Sequence, residues 1–402
     1  MTTERRYFTL SNKIKPVPKA APRRRGWGRW VLLCAAVLLV LLLLAGVFFP
    51  AEANPDRVIR FFRYMGLRDR EGYGQISFEG GAGSACACLG DGFLTGNENG
   101  LALYGLDGEQ LALLQGSLPT PVLRTGGELG FCFSPGSAYA AVVRADGSVL
   151  KDTALSGAII DADLSFDGYS ACLTAESGSK AVATVMDPRQ EPVFRFSSRT
   201  RFLNACAVSE RGEYLAAARL EEQDSVFRSG LLILRTDEAL TDLERDESSA
   251  ITVDLGNQVV YELRFLDRSH LMAVAQDEIV FFSVSGERLA SVSLRDQRLS
   301  DYSVSSEGWV ILALEQGSGA RVITLDAKGK TLEEMKLTER VRSVSAAGKY
   351  AAVLSELDLR TYDRRLKLFD RSWDVLGAAR AIARPDGTVL LVSGGGTKLF
   401  IP

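Results

Sequence analysis

The first pattern along the chain is an uninterrupted apolar run. Residues 30–49 read WVLLCAAVLLVLLLLAGVFF and contain no charged residue. At 1.5 Å per residue, a helix over this run spans roughly 30 Å, the thickness of the hydrocarbon core of a bilayer. The pattern therefore predicts a transmembrane helix over residues 30–50. A cleaved signal peptide is the alternative, because Ala51-Glu52-Ala53 resembles a cleavage site, but its apolar segment would be only about 7–15 residues long.

The next pattern is that of a short amphipathic helix. Asn54 is a candidate N-cap, Pro55 fits the first helical position, and Asp56 places an acid in the first turn. One face of this helix, which we expect to end at Gly66, is apolar and consists of Val58, Phe61, Phe62 and Met65. The basic residues lie elsewhere on it and are Arg57, Arg60 and Arg63. Residues 51–72 are therefore predicted to form a juxtamembrane amphipathic helix and linker, which lies on the membrane or docks on the domain beyond.

From residue 73 onward, short apolar strands are separated by turn residues. A tight turn followed by an apolar strand recurs eight times, at Asp91-Gly92, Gly126-Gly127, Asp167-Gly168, Arg211-Gly212, Arg268-Ser269, Glu307-Gly308, Ala347-Gly348 and Asp386-Gly387. The spacing averages about 42 residues, which lies within the roughly 40–45 residues of one β-propeller blade. Residues 73–402 are therefore predicted to form an all-β domain, a β-propeller.

The number of strands indicates the number of blades. Most repeats hold a second Gly-containing hairpin, as in LYGLDGEQLAL and FFSVSGERLAS, and two hairpins supply the four antiparallel strands of a blade. Seven units fit between residues 84 and 376, and three further strands follow them. Pairing strand 73–80, YGQISFEG, with these three completes an eighth blade and removes an exposed sheet edge. We predict eight four-stranded blades, with seven as the alternative if residues 119–157 do not form a separate blade.

Charge divides the chain at about residue 30. Residues 1–29 carry nine Lys and Arg and one acid, whereas the remainder carries 38 Lys and Arg against 49 Asp and Glu, a net charge of −11. An acidic body argues against nucleic acid as its partner. Nine basic residues precede the apolar run, and five arginines follow it closely. Because the larger number precedes the run, the positive-inside rule places the N-terminus in the cytoplasm and the propeller outside the cell membrane. Residues 1–29, with three prolines and few large apolar residues, are predicted to be a disordered basic cytoplasmic tail.

This arrangement resembles a known family. The stretches PTPVLRTGGELGFCFSPGSAYAAVVRADG and AIIDADLSFDGYSACLTAESG carry the likeness most clearly, and it covers residues 30–402. The chain resembles an uncharacterised family of single-pass membrane proteins of Gram-positive bacteria whose ectodomains are WD40-like or quinoprotein-like propellers. The resemblance implies architecture and assigns no functional residue.

The usual catalytic residues are scarce. His270 is the single histidine, so a Ser–His–Asp triad would have to use it. A metal site with several histidine ligands is excluded for the same reason. We interpret His270 as a solvated turn residue. The cysteines outside the apolar run, Cys86, Cys88, Cys132, Cys172 and Cys206, contain no C-x-x-C pair and are interpreted as buried thiols, with one disulfide in the first blades as the alternative. Trp309 and Trp373 do not recur once per blade, which argues against a bound quinone, and no cofactor is predicted.

Two functions remain after this survey. The favoured one is a non-catalytic, membrane-anchored binding or scaffolding module for a protein, a cell-wall polymer or a ligand. The alternative is an extracytoplasmic lyase or hydrolase that uses channel carboxylates, for which Asp161 and Asp163 are candidates, together with arginines. A deep channel with converging carboxylates of perturbed pKa would favour the alternative.

A binding rim is predicted from the links between blades. These links emerge on one side of a propeller, and they carry arginines at what the repeats indicate are four successive junctions: Arg199, Arg201, Arg295, Arg298, Arg340, Arg342 and Arg380. Guanidinium groups around one mouth favour carboxylate- or phosphate-bearing partners, such as an anionic wall polymer. The alternative is a rim of neutralised surface pairs, with Asp296, Asp301 and Glu339 as the partners.

The fourth unit is longer than the others. Its additional residues lie in 221–230 and in the acidic segment 236–250, which we interpret as a solvated insertion.

Overall fold

The computed structural model describes residues 27–48, 55–65, 73–78, 85–223, 226–236, 250–394 and 396–402. The predicted basic tail up to residue 26, the cleavage-site alternative at 51–53, the helix cap Asn54 and most of the acidic segment 236–250 lie outside these residues. The chain divides into two units, Met1–Ile59 and Arg60–Pro402.

The first unit contains an apolar helix, α1, at Trp27–Phe48. Side chains of α1 are described for residues 30–40. Within the part of the chain that the structure describes, no helix has the length and apolar character needed to cross a membrane. A second helix, α2, spans Pro55–Arg63, with Pro55 at the predicted first position.

The second unit is a propeller of eight four-stranded antiparallel sheets, as the repeat predicted. The first blade comprises β2 to β5: Ala85–Leu89, Gly92–Asn97, Gly100–Tyr104 and Gln110–Gln115. The second comprises β6 to β9: Val122–Gly126, Leu129–Phe133, Tyr139–Arg144 and Val149–Ala154. The third comprises β10 to β13: Ala158–Leu164, Ser170–Ala175, Ala181–Met186 and Pro192–Ser198. The fourth comprises β14 to β17: Phe202–Val208, Tyr214–Gln223, Val226–Arg235 and Ile251–Gly256.

The remaining four blades follow the same order, in which the first strand of each blade is the innermost one. The fifth comprises β18 to β21: Val260–Phe265, His270–Ala275, Glu278–Ser283 and Arg288–Ser293. The sixth comprises β22 to β25: Arg298–Val304, Val310–Gln316, Gly319–Leu325 and Thr331–Leu337. The seventh comprises β26 to β29: Val341–Ala347, Tyr350–Ser355, Leu359–Asp363 and Leu368–Ser372. The eighth comprises β30 to β32, Ala378–Ala383, Val389–Ser393 and Gly396–Phe400, together with β1, Tyr73–Phe78.

Strand β1 closes the ring. It pairs antiparallel with β32, with Tyr73 opposite Phe400 and Phe78 opposite Thr397, so the sheet order of the last blade is β1-β32-β31-β30. The edge that β32 would otherwise present is thereby covered. Residues 119–157 form a separate second blade, which excludes the seven-blade alternative.

The apolar core lies between neighbouring blades. One cluster joins the third and fourth blades, and the next joins the fourth and fifth. Strand β15 contributes Ala216, Ala217 and Ala218 to these contacts, all fully buried. Small side chains are needed there because both faces of a blade are covered by its neighbours and pack to the density of a protein interior.

The contacts of the last turn of α2 differ from the expected amphipathic pattern. Phe62 and Met65 are exposed, whereas Arg60 and Tyr64 are buried against the propeller. The Arg60 guanidinium lies 4.5 Å from the centroid of the Phe369 ring, and its Nη1 donates to the carbonyl of Asp386 at 2.6 Å. The buried side of this turn is therefore not the predicted apolar face, because a carbonyl and aromatic rings of the propeller bind the Arg60 cation. The predicted helix end at Gly66 lies outside the described residues.

Candidate binding surface

The propeller has two faces, and the arginines that were predicted to form a binding rim lie toward one of them. We call it the link face: it carries the links between blades and the turn between the second and third strands of each blade. The opposite face carries the other two turns of each blade, including the turn at residues 384–388, where Tyr64 contacts Asp386. Because the strands of a blade alternate in direction, every link between blades emerges on the link face.

The arginines occupy four junctions between blades. Arg199 and Arg201 lie in the β13–β14 link, Arg295 in the β21–β22 link, and Arg340 in the β25–β26 link. Three others stand at the first to third positions of the innermost strands that follow a link: Arg298, Arg342 and Arg380. The sequence predicted four successive junctions, and this prediction was wrong. The β17–β18 link intervenes, because the repeat at residue 269 begins a fifth blade whose link, residues 257–259, contains no arginine.

Several of these arginines have carboxylate partners. Arg201 Nε lies 2.9 Å from Glu221 Oε1, and Arg298 Nε lies 3.0 Å from Glu315 Oε2. Arg295 Nε is 4.0 Å from Asp277 Oδ2. Glu221 lies on β15 of the fourth blade, Glu315 on β23 of the sixth, and Asp277 in the β19–β20 turn of the fifth.

The acids expected to neutralise the rim form different contacts. Glu339 pairs with Arg360 of the seventh blade, and Asp301 Oδ2 accepts the backbone N–H of Val344 at 2.8 Å. Among the described residues neither acid forms an ion pair with a rim arginine, so the predicted partners were wrong, since proximity in sequence does not determine which strand face a side chain occupies. The alternative of a neutralised rim nevertheless holds for Arg201, Arg295 and Arg298, which pair with other acids.

Three further arginines lie at the start of the seventh and eighth blades. Among the described residues, Arg340, Arg342 and Arg380 form no ion pair, and all three are exposed. Arg342 Nη1 donates to the carbonyl of Ala378 at 3.1 Å, which places it against the start of β30. The charge of Arg380 lowers the pKa of Asp301 and of Cys86, although burial raises both pKa values overall, so the guanidinium lies near both side chains.

Exposed apolar side chains lie in neighbouring loops of the same face. Leu357 lies in the β27–β28 turn, whereas Trp373 and Leu376 lie in the β29–β30 link. Their exposed fractions are 58%, 64% and 98%. The backbone N–H of Glu356 donates to the carbonyl of Arg340 at 3.3 Å, so the turn and the arginine-bearing link are adjacent. We call Arg340, Arg342, Arg380, Leu357, Trp373 and Leu376 the blade 7–8 patch.

The Trp373 ring is held in place by a neighbouring charge network. The Arg371 guanidinium lies 3.6 Å from the centroid of the ring. Arg371 also contacts the buried carboxylate of Asp358, which accepts a further bond from Arg360 Nε at 2.8 Å. A tryptophan stacked in this way exposes a large apolar surface in a fixed orientation, at a small cost in side-chain entropy on binding.

The channel carboxylates have structural partners. Backbone N–H groups of the next innermost strand donate to Asp161 at 2.9 Å, to Asp163 at 3.1 Å and to Asp301 at 2.8 Å. Ser303 and Ser345 accept such bonds at 3.0 and 2.9 Å. These side chains therefore join consecutive blades around the channel.

Two ion pairs cross between non-adjacent blades. Arg124 Nη2 lies 2.8 Å from Glu262 Oε1, and Arg264 Nη1 lies 2.5 Å from Asp163 Oδ1. Burial raises the pKa of Asp161 to about 6, against the opposing effects of the Cys206 N–H and of Arg124. A cavity of about 100 Å³ opens beside Asp163, Arg264 and Glu210 on the opposite face.

The histidine and the cysteines of the propeller lie in its strands. His270 is the first residue of β19, and its Nδ1 lies 2.8 Å from Asp267 Oδ2, within the turn that precedes the strand. All six cysteines are thiols, so the disulfide alternative is excluded. Burial raises the pKa of Cys132 and of Cys172 to about 12, which keeps both protonated at neutral pH.

Solved structures share the fold. The chain is similar to the β-propeller domain of Cps50 (Swd1) from Myceliophteria thermophila, at 12% identity and a TM-score of 0.49, over 71% of this chain and 96% of that one. Apo AztD from Citrobacter koseri matches at 14% identity and 0.47, over 73% and 86%. Dihydro-heme d1 dehydrogenase NirN, in complex with DHE, matches at 15% identity and 0.51, over 76% and 68%. At such identities the likeness concerns the fold alone.

The family is shown by the sequence itself. No curated protein matches the chain. The profile of a family of unknown function, DUF5711, matches residues 71–365, which is most of the propeller. The chain therefore belongs to the DUF5711 family, whose fold in this member is an eight-bladed β-propeller.

Proposed function

We propose that the chain is a non-catalytic binding module that uses the blade 7–8 patch to bind an acidic protein. The observation that carries the proposal is the grouping of three arginines without ion-pair partners among the described residues and three exposed apolar side chains on one sector of the link face. Tryptophan and arginine are enriched at the energetic centres of protein interfaces, whereas isolated exposed leucines are common anywhere.

Charge and apolar contact have separate roles in this proposal. The apolar side chains supply affinity by leaving water, at about 25 cal/mol per Å² buried. The arginines select the partner, because a guanidinium binds a carboxylate through two parallel hydrogen bonds. The apolar part of the patch favours a protein over a purely anionic polymer as the partner.

We also propose that this module is anchored in the cell membrane and faces outward. The support is the charge-free run at residues 30–49 and the nine basic residues that precede it. The alternative, a lyase or hydrolase, is favoured by the raised pKa values of Asp161 and Asp301 but receives less support from their contacts. Asp161, Asp163 and Asp301 each have a carboxylate oxygen bonded to the backbone of the next blade, and Asp163 also neutralises Arg264.

Co-purification from membranes tests the proposed binding. The full chain is compared with the triple variant Arg340→Glu, Arg342→Glu, Arg380→Glu. A matched control, Arg364→Glu, Arg365→Glu, Lys367→Glu, reverses three charges in the β28–β29 turn of the seventh blade, on the opposite face. Both should unfold at the temperature of the parent.

We expect a defined acidic protein to co-purify with the parent and with the control, and to be lost from the patch variant. Retention of every partner by the patch variant would contradict the proposal. Binding of purified anionic wall polymer alone, lost in the same variant, would assign the patch to a polymer and overturn the protein partner.

A further inference from the structure

We propose that a cavity between the second and third blades binds a small carboxylate with an apolar body. The cavity has a volume of about 310 Å³ and lies apart from the blade 7–8 patch. Strand β9 and the β9–β10 link form one wall, and strands β11 to β13 form the other. Cavities that hold small molecules in proteins begin at about 300 Å³, so its size suits one compact ligand.

The walls of the cavity are apolar over much of their area. Leu155 and Pro192 line it, together with the buried side chains of Cys172 and Met186. The high pKa of Cys172, about 12, keeps its thiol neutral, so it contributes to the wall as a small apolar group. These side chains would surround the body of a ligand and exclude water from it.

The single acid in the wall already has its hydrogen bonds. Glu176 Oε1 accepts the Ser156 hydroxyl at 2.6 Å and the Thr174 hydroxyl at 3.0 Å. Glu176 Oε2 pairs with Arg195 Nη2 at 2.5 Å. Because Arg195 balances its charge and two hydroxyls donate to it, this carboxylate does not require a cationic ligand.

The basic groups, by contrast, retain donors. Lys151 Nζ donates to the sulfur of Met186 at 3.3 Å, and among the described residues it forms no ion pair. Arg195 Nε is buried and has no hydrogen-bond partner in the described structure. A thioether is a weak acceptor, so the ammonium has room for a stronger one.

These observations together define the ligand. Lys151 and Arg195 against Glu176 leave one net positive charge on a cavity whose other lining side chains are uncharged. The group that satisfies the Lys151 ammonium is a carboxylate, through a charge-assisted hydrogen bond, and the Arg195 guanidinium adds positive charge to the same wall. The rest of the ligand must be apolar and compact.

Binding of 4-(trifluoromethyl)benzoate to the full chain in detergent, followed by fluorine NMR, tests this site. The uncharged probe 4-(trifluoromethyl)benzamide has the same body without the charge. Lys151→Met keeps the length of the side chain and removes the ammonium, and Arg195→Gln removes the guanidinium. Lys180→Met is the matched control, since Lys180 is an exposed lysine of the third blade that does not line the cavity and whose Nζ lies 4.5 Å from the centroid of the Phe202 ring.

We expect the benzoate to bind the parent and the Lys180→Met control alike, and the benzamide and the Lys151→Met variant to bind about tenfold more weakly. If Arg195→Gln fails to fold because Glu176 loses its partner, Lys151→Met alone decides. Absence of benzoate binding, equal binding to the Lys151→Met variant, or equal binding of the benzamide would each overturn the proposal.

Discussion

Arg124 of the second blade and Glu262 of the fifth blade form an ion pair of 2.8 Å across the channel, although 138 residues separate them in sequence. A second pair, Arg264 with Asp163, connects the fifth blade with the third. Charges that are only partly exposed and satisfied in this way hold three blades together. They also leave fewer free groups in the channel for chemistry on a substrate.

The pKa of Asp161 predicts how stability depends on pH. Its folded-state value of about 6 lies above the ordinary value of 3.8, because burial disfavours the charged carboxylate. Between these two pH values the folded protein holds a proton that the unfolded chain has released, so this group makes stability fall as pH rises through the window. Above pH 6 the buried charge lowers the free energy of unfolding by its full amount.

Asp161→Asn should remove this cost and still accept the N–H of Cys206 through its amide oxygen. We expect the free energy of unfolding at pH 7 to increase by roughly 1–3 kcal/mol, with little gain at pH 4. Denaturant unfolding at both pH values measures this, and Asp296→Asn, an exposed site, serves as the control. An equal effect of Asp161→Asn at pH 4 and pH 7 would refute the assignment.

Closure of the ring predicts a large effect of removing its last strand. Deleting residues 73–80 exposes the edge of β32 and should cost more than about 4 kcal/mol or cause aggregation. Replacing residues 237–249 with Gly-Gly-Ser is the control and should change little, because loop length affects stability weakly. Thermal unfolding and light scattering report both effects. A deletion variant that melts with the parent would show that β1 does not close the ring.

The eighth blade could be predicted because it follows from a count. Eight turns, three terminal strands and one unpaired strand at residue 73 leave a single arrangement without an exposed edge, and the pairing of Tyr73 with Phe400 confirms it. The junction positions of the arginines could be predicted for the same reason, since they depend only on strand order.

The blade 7–8 patch could not be predicted in full. Trp373 and Leu376 lie in a link, where no alternation indicates which side chains face solvent. The burial of Arg60 was also missed, since it depends on the Phe369 ring and the Asp386 carbonyl, which are about 300 residues away in sequence. For the blade 7–8 patch, the one available signal in the sequence was the run WDVLG, which has three apolar residues between two strands.

The segment that ends α2 predicts a further stability effect. The Tyr64 hydroxyl donates to Asp386 Oδ2 at 2.5 Å and accepts from Arg384 Nη1 at 3.0 Å. Tyr64→Phe leaves both buried partners without this contact and should cost about 1–3 kcal/mol. Arg63→Gln removes a more exposed pair with Asp91 and should cost under about 1 kcal/mol. Hydrogen exchange of residues 60–65 would show the difference, and equal protection in the two variants would contradict it.

Membrane topology is tested by labelling of intact cells. Single cysteines placed at Thr3 and within residues 237–249 are treated with a membrane-impermeant maleimide. The positive-inside argument predicts labelling within 237–249 and none at Thr3. Labelling of Thr3 would reverse the orientation, and release of a soluble fragment beginning near Asn54 would replace the anchor with a signal peptide.

Photo-crosslinking from the blade 7–8 patch tests the proposed function most directly. A benzophenone amino acid replaces Leu376, whose side chain is 98% exposed, and in a second strain it replaces Arg364 on the opposite face. We predict a discrete adduct with one acidic protein from position 376 in intact cells, lost when Arg340, Arg342 and Arg380 are changed to Glu. The absence of an adduct from position 376, or the same adduct from position 364, would contradict the account.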